Sequence, residues 1–337
     1  MTTVLEQRYR TALRLLPSYY RTEREEEMVE TYLHGIDEQD QDELRPAWGE
    51  VASIAALAVR TRMGAAGAPA RYATLGAVVR LFALLSVLLH AASALTERAL
   101  FLTWVKGAPA QYRELFLGGF TGHGVAPGLY EAALWLLPPA WTVVYLALLR
   151  DHRRTAFVFA VLAALPDLAS VMQHAGGRPG NVGALSLSTA AFAWLTVITL
   201  CCGFHRDAPP ARLPLASPGP ALMGTCVLMG ASTVVWPGVA VTGWADGSAF
   251  LAAAAVWLVA RRRAPQHVAD PALPLALATL GLAVLVQRTL TLTFLVQAHA
   301  PGALVPASAV QVGVIALLAA TLSATGTRSL TARFGTS

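Results

Sequence analysis

The sequence has few charged residues and a single lysine. Charged side chains make up 13% of its 337 residues, whereas hydrophobic ones make up 55%. Soluble domains carry about 25% charged residues, so this deficit argues against an ordinary soluble fold and indicates contact with lipid. Because Lys106 is the only lysine, arginine supplies almost all of the positive charge.

Cysteine and catalytic motifs are also scarce. The three cysteines, Cys201, Cys202 and Cys226, lie in or beside apolar segments, and an odd number without regular spacing does not build a disulfide framework. The sequence contains no Walker A loop, no HExxH helix, no GxSxG elbow and no paired membrane aspartates. We therefore expect neither enzyme activity nor a bound cofactor or metal.

The charges that are present divide the chain into two parts. Residues 1–62 hold 12 acidic and 8 basic side chains, a net charge of −4, and the remaining 275 residues hold 8 and 17, a net charge of +9. This asymmetry predicts a small acidic head, 1–64, joined to an apolar body, 72–323, and a short tail, 324–337. The arginines of the body are spread over separate short loops, which does not favour nucleic-acid binding.

The body reads as an all-α bundle of membrane-spanning helices. The stretch 72–95, YATLGAVVRLFALLSVLLHAASAL, is the first run that reaches the roughly 20 apolar residues needed to cross a bilayer. Apolar length and flanking charge predict seven further spans, at 127–149, 155–175, 184–204, 220–241, 247–260, 273–297 and 305–323. The connecting segment 96–126 is amphipathic and glycine-rich, which predicts one or two interfacial or re-entrant helices.

The loop charges predict the direction of these spans. Arginines follow spans two, four, six and eight, at Arg150, Arg153, Arg154, Arg206, Arg212, Arg261, Arg262, Arg263, Arg328 and Arg333. By the positive-inside rule both termini then face the cytoplasm of a bacterial inner membrane. The N-terminus lacks the basic-then-apolar pattern of a signal peptide, which agrees with a cytoplasmic head.

Two groups of ionisable residues in the body are candidates for function. Asp167 and Arg288 are expected at similar depth, where opposite charges usually pair. Such a pair either belongs to an ion or ligand site or is a salt bridge that fixes the packing. A second group near the outer face either forms a metal or pH-sensitive cluster or consists of scattered polar residues at helix ends, and its members are His90, His123, Glu131 and His174.

Proline predicts a break in the second span. Pro138 and Pro139 are adjacent in a segment that is otherwise apolar and helical. Because proline lacks a backbone N–H, the carbonyls one turn earlier lose their donors and need new partners.

Three short helices are expected in the head. Apolar spacing predicts one over 4–16, a capping box at Thr22 to Glu25 opens the second, and Pro46 begins a third that ends near Met63. Helices this short make a marginal core. Their apolar side chains are therefore candidates for partner binding, namely Tyr9, Leu16, Met28, Tyr32, Leu33 and Trp48.

The head also resembles a known module. The stretch RYRTALRLLPSYYRTEREEEMVETYL, followed by RPAWGEVASIAALAVRTRMG, is similar to the permease-prefix or HAAS-type helical prefix of actinobacterial multi-pass proteins. The resemblance covers about 7–64. It implies a cytoplasmic regulatory or signalling module on a membrane body, and it brings no catalytic residues.

The sequence thus predicts a membrane-tethered regulatory protein whose head docks a cytoplasmic partner and whose body anchors or senses. One alternative is a permease-like body that moves a small solute, with Asp167 and Arg288 in the pathway. Another is a structural assembly factor of the membrane.

Overall fold

The computed structural model describes residues 4–34, 45–65, 67–121, 128–175, 181–206, 208–213, 216–235, 243–263, 270–300 and 302–334. Within these ranges all regular structure is helical, which confirms the predicted all-α class. In chain order the helices are α1 (Val4–Leu13), α2 (Ser18–Leu33), α3 (Trp48–Arg62), α4 (Ala70–Gly107), α5 (Ala110–Phe120), α6 (Gly128–Leu136), α7 (Ala140–Leu149), α8 (Arg153–Ala175), α9 (Asn181–Gly203), α10 (Pro218–Val235), α11 (Trp244–Arg263), α12 (Ala272–Gln297) and α13 (Leu304–Phe334).

The chain divides into two compact units. The head unit consists of Met1–Val79 with Cys202–Ala208, and the membrane unit consists of Arg80–Cys201 with Pro209–Ser337. The predicted head, 1–64, lies inside the first of these units.

The helices α1, α2 and α3 surround one apolar core in the head unit. Tyr9 belongs to this core and Tyr32 packs against it, and their rings stack with centroids 4.0 Å apart. The hydroxyl of Tyr19 donates a hydrogen bond to the carbonyl of Thr61 at 2.9 Å, which links α2 to α3. Burial raises the pKa of Tyr9, with a smaller contribution from Glu50.

This core includes or contacts most of the side chains predicted to bind a partner, and partner binding itself stays a prediction. Five of the six candidate side chains are buried in it or packed against it, namely Tyr9, Leu16, Met28, Tyr32 and Leu33. Periodicity identified the apolar face of each helix, but these faces cover one another. Trp48, at the start of α3, is the most exposed of the six, with 88% of its surface accessible, whereas Met28, Tyr32 and Leu33 are half-buried.

The predicted start of the second helix is also wrong. The helix α2 begins at Ser18, directly after Pro17, whose extended backbone ends the preceding turn. Thr22 therefore lies inside the helix, where its hydroxyl donates to the carbonyl of Ser18 at 2.9 Å instead of capping an N-terminus.

Among the described residues, seven helical segments are long and apolar enough to cross a membrane, so the multi-pass character predicted from sequence is confirmed. They are Ala70–Gly107, Gly128–Leu149, Arg153–Met172, Gly183–Gly203, Pro218–Val235, Ala272–Gln297 and Leu304–Ala332. The predicted span 247–260 lies in α11, which is not one of the seven. Asp246 at its start and Arg261–Arg263 at its end leave it a short apolar stretch, and its crossing stays a prediction.

The first membrane helix is longer than predicted. The helix α4 has 38 residues, about 57 Å at 1.5 Å per residue, and continues to Gly107 instead of ending at Leu95. Residues 96–107 are therefore part of α4 rather than a separate interfacial helix. The helix α5 follows it and packs against α6, and 122–127 lie outside the described residues.

Small residues let the last three helices of the membrane unit approach closely. The helix α12 packs against both α11 and α13. A Cβ atom on Gly281 would lie 2.5 Å from the ring of Phe250 on α11 and 3.2 Å from Ala319 on α13. Such close backbone approach is typical of helix packing in membranes, where lipid provides no hydrophobic driving force for association.

Candidate functional site

A cavity of about 490 Å³ lies inside the membrane unit, and we call it the polar cavity. Side chains from α4, α6, α7, α8, α9, α11 and α12 line it. Its charged lining residues are Glu97, Arg98, Asp167, Asp246 and Arg288. Its other polar side chains are Ser93, Ser170, Ser188, Thr189, Gln287 and Thr291, and its rings are His90, Trp141, Phe192 and Phe294. Charged groups at membrane depth are costly and usually mark a functional site.

The structure brings Asp167 and Arg288 to this one cavity, as their predicted depths suggested. The predicted ion pair does not form, however, because their charged atoms are not within 4.0 Å of each other. Instead, Arg288 Nη2 donates to Ser308 Oγ at 3.2 Å on α13, and its guanidinium lies 5.6 Å from the ring centroid of Trp244. The arginine thus contacts Ser308 and the Trp244 ring instead of Asp167.

The cavity lining also contains Asp246, a carboxylate that was not among the candidate residues predicted from the sequence. It lies in the first turn of α11, one residue before the predicted span 247–260. Its Oδ1 is buried and has no hydrogen-bond partner among the described residues. A buried acceptor without a donor is rare and costs free energy, so this position calls for a functional explanation. An isolated acid at the edge of a short span was the available signal.

The break predicted in the second span is present, and its partner is identified. The helix α6 ends at Leu136 and α7 begins at Ala140, with Pro138 and Pro139 between them. In a continuous helix of other residues, the N–H groups at positions 138 and 139 would donate to the carbonyls of Leu134 and Trp135, four residues earlier, but proline has no N–H.

Arg98 supplies the two missing donors. Its Nη2 donates to the carbonyl of Leu134 at 2.8 Å, and its Nε donates to that of Trp135 at 3.3 Å. Its guanidinium also lies 4.9 Å from the ring centroid of Trp135. The planar fork of arginine suits two adjacent oxygens. Sequence analysis missed this role because it placed Arg98, like Glu97, in an outer loop.

His90 is held by an aromatic environment. Its ring stacks on Trp141 at a centroid distance of 4.7 Å and lies 4.6 Å from the ring of Phe192. Its Nε2 is 3.2 Å from Thr196 Oγ1, so one of these atoms donates to the other. These contacts account for the position of His90 without a metal.

The remaining members of the predicted outer cluster are not seen to join His90. Glu131, on α6, lies near Gly119 of α5 and does not line the polar cavity. His123 and the side chain of His174 lie outside the described residues. The part of the chain that the structure describes contains no group of three or more histidine, cysteine or acidic residues that could hold a metal ion.

Comparisons with protein-family models, with curated proteins and with solved structures found no match to this chain. The similarity of 7–64 to permease-prefix and HAAS-type modules therefore remains an expectation from sequence. The polar cavity is therefore the basis for a functional proposal.

Proposed function

We propose that this membrane protein binds a small polar solute in the polar cavity and moves it across the bilayer. The observation that carries the proposal is the convergence of five charged side chains, from four helices, on one space of about 490 Å³. Solute-binding pockets have volumes of roughly 300–1,000 Å³ and combine apolar walls with a few polar groups. The permease-like alternative is therefore favoured over regulation by the head.

The pairing of charges supports a binding role over a packing role. A salt bridge that fixes helix packing brings opposite charges into contact. Asp167 makes no ion pair within 4.0 Å with any described residue. Its carboxylate therefore lines the cavity without a fixed counter-charge, as a residue that receives a ligand would.

A helix break at the cavity, together with a proline inside a second, continuous helix, supports movement as well as binding. Pro138, at the α6–α7 break, and Pro166, inside α8, both line the polar cavity. Transporters place discontinuous helices at their substrate sites, where freed backbone groups line a water-filled space.

Regulation by the head is the second candidate, and one observation favours it. Trp48 exposes 88% of its surface on an otherwise folded three-helix unit. Exposed tryptophans are frequent anchors of protein interfaces. The docking surface is then centred on Trp48 rather than on the tyrosines and leucines that form or contact the head core.

Cysteine accessibility tests the proposed pathway without knowledge of the solute. In a chain whose Cys201, Cys202 and Cys226 are replaced by alanine, we expect Ser188→Cys to react with a membrane-impermeant thiol reagent. A pathway predicts labelling from either side of a sealed vesicle. The matched control is Val286→Cys on α12, which is 50% exposed but does not line the cavity.

Val286→Cys should stay unreactive, because thiolate formation needs water and this position faces lipid under the proposal. Equal, low labelling at both positions would show a dry core and contradict the proposed function. Labelling of Ser188→Cys from one side alone would contradict translocation.

A further inference from the structure

The charges that line the polar cavity do not balance. Its described residues contribute three carboxylates, from Glu97, Asp167 and Asp246, and two guanidinium groups, from Arg98 and Arg288. With all five groups ionised the sum is −1. In surroundings of low polarity such an excess is costly, unless a cation joins the site or a proton neutralises it.

Both guanidinium groups are already engaged by the protein. Arg98 donates to the backbone carbonyls of Leu134 and Trp135. Arg288 is 1% exposed and donates to Ser308 behind the cavity wall. Neither arginine is positioned to be the main partner of an anionic solute.

The carboxylates are less engaged than the arginines. Asp246 has a buried Oδ1 without a hydrogen-bond partner among the described residues, and Asp167 has no ion pair there. Glu97 accepts a long hydrogen bond from Ser93, at 3.4 Å, and lies 3.7 Å from Arg98. Neither Asp246 nor Asp167 therefore forms an ion pair within 4.0 Å among the described residues.

Aromatic rings complete the lining. Trp141, Phe192 and Phe294 border the same cavity as the carboxylates. The negative faces of aromatic rings attract cations, and organic cations in particular. The volume of about 490 Å³ is far larger than a bare inorganic ion needs.

We propose that the polar cavity selects a small organic cation, a protonated amine or a quaternary ammonium, whose charge is balanced by Asp246 and Asp167. This inference rests on the proposed function and names the class of its solute. Recognition combines these two carboxylates, neither of which is held in an ion pair, with the rings of Trp141, Phe192 and Phe294.

A set of three molecules of one shape tests this charge preference. The probes are choline, the neutral alcohol in which carbon replaces the choline nitrogen, and the carboxylate formed by oxidising that alcohol. Each is added to the purified full chain in detergent at equal concentration, and the thermal unfolding midpoint is measured. We expect choline to raise the midpoint by several degrees and the other two to leave it unchanged, since a ligand stabilises the state that binds it.

Variants locate the effect. Asp246→Asn keeps the shape of the side chain but removes its charge, and the choline shift should fall by at least half. Glu131→Gln is the control, because Glu131 is a membrane-unit carboxylate outside the cavity; it should keep the full shift.

The outcomes separate this inference from the proposed function. Equal shifts with choline and its neutral analogue, or a larger shift with the carboxylate, overturn cation selection but leave solute binding intact. A choline shift that survives in Asp246→Asn overturns the role of that residue. If no probe shifts the midpoint and Ser188→Cys also stays unlabelled, both proposals fail.

Discussion

At the scale of single residues, Arg10 joins two helices of the head. Its guanidinium donates to Glu6 Oε1 on its own helix at 2.9 and 3.0 Å, and to both carboxylate oxygens of Glu26 on α2 at 2.8 Å. This two-pronged contact is stronger and more directional than an ordinary surface ion pair. It holds α1 against α2 at the solvent edge of the head core.

This contact predicts a pH dependence of the head. The hydrogen bond from Arg10 lowers the pKa of Glu26 below its ordinary value of 4.5. A lowered folded-state pKa contributes stability above pH 4.5 that is lost as the pH falls through the lowered pKa. In Arg10→Ala we expect faster hydrogen exchange in α1 and α2 at pH 7, and a smaller difference from the unmodified chain below about pH 4.

A neighbouring arginine provides the comparison. Arg24 pairs with Glu27 at 3.6 Å on the exposed side of α2, and both side chains are more than half exposed. Exposed pairs of this kind contribute little to stability. The backbone amides of Arg24→Ala should therefore exchange at the same rates as those of the unmodified chain at both pH values. Unchanged exchange in Arg10→Ala at pH 7 would show that the α1–α2 contact does not stabilise the head.

At the scale of elements, the α6–α7 break depends on a residue of another helix. Two prolines remove two donors, and Arg98 of α4 replaces them at the carbonyls of Leu134 and Trp135. We expect Arg98→Gln to lower the free energy of unfolding by about 1–3 kcal/mol, because two partly buried acceptors lose their charged donor. Thermal unfolding of the purified chain in detergent measures this loss.

Two comparisons make the prediction specific. Arg113→Gln, at an exposed arginine of α5, should change the unfolding midpoint little. A chain that carries Pro138→Ala and Pro139→Ala regains the two backbone donors, so Arg98→Gln should lower its free energy of unfolding by less. A double-mutant cycle then measures the coupling energy between Arg98 and the two prolines. Equal losses with and without the prolines would show that Arg98 acts elsewhere.

The elements were largely predictable from the sequence, and the errors have local causes. Apolar length identified the membrane helices, and Pro138–Pro139 identified the break. The end of α4 was missed because Glu97 and Arg98 resemble a loop when charge alone is considered, whereas in the structure they face a polar cavity. The start of α2 was missed because a local capping pattern competed with Pro17.

At the scale of the whole molecule, the candidate site was only partly predictable. Depth along a span follows from residue counting, and the similar depths of Asp167 and Arg288 predicted that the two could meet. The structure places both at one cavity. The sequence does not show which side of each membrane helix faces the cavity. Lipid and protein interior are both apolar, so the helices carry no amphipathic signal. The contact of Arg288 with Ser308 and the position of Asp246 in the cavity lining are therefore known only from the structure.

The number of membrane spans determines on which side of the membrane the C-terminus lies. That number depends on whether α11 crosses. The helix α11 has 20 residues, packs against α10, α12 and α13, and ends in Arg261–Arg263. If it crosses the membrane, the chain has eight spans and both termini share one side. If it does not, seven spans put the termini on opposite sides.

We expect α11 to cross, with its arginines in the cytoplasm, because basic residues collect at the cytoplasmic ends of membrane helices. Reporter fusions in a bacterial host measure this. A fluorescent protein should be bright at either terminus, and alkaline phosphatase should be active when fused after Gly243 and inactive after Arg263. Active phosphatase at the C-terminus, with a bright N-terminal fusion, would mean that α11 lies within the bundle without crossing. The Gly243 end of α11 would stay on the outer side in that case, because five crossings precede it, and Arg261–Arg263 would then lie on the outer side as well, against the positive-inside rule.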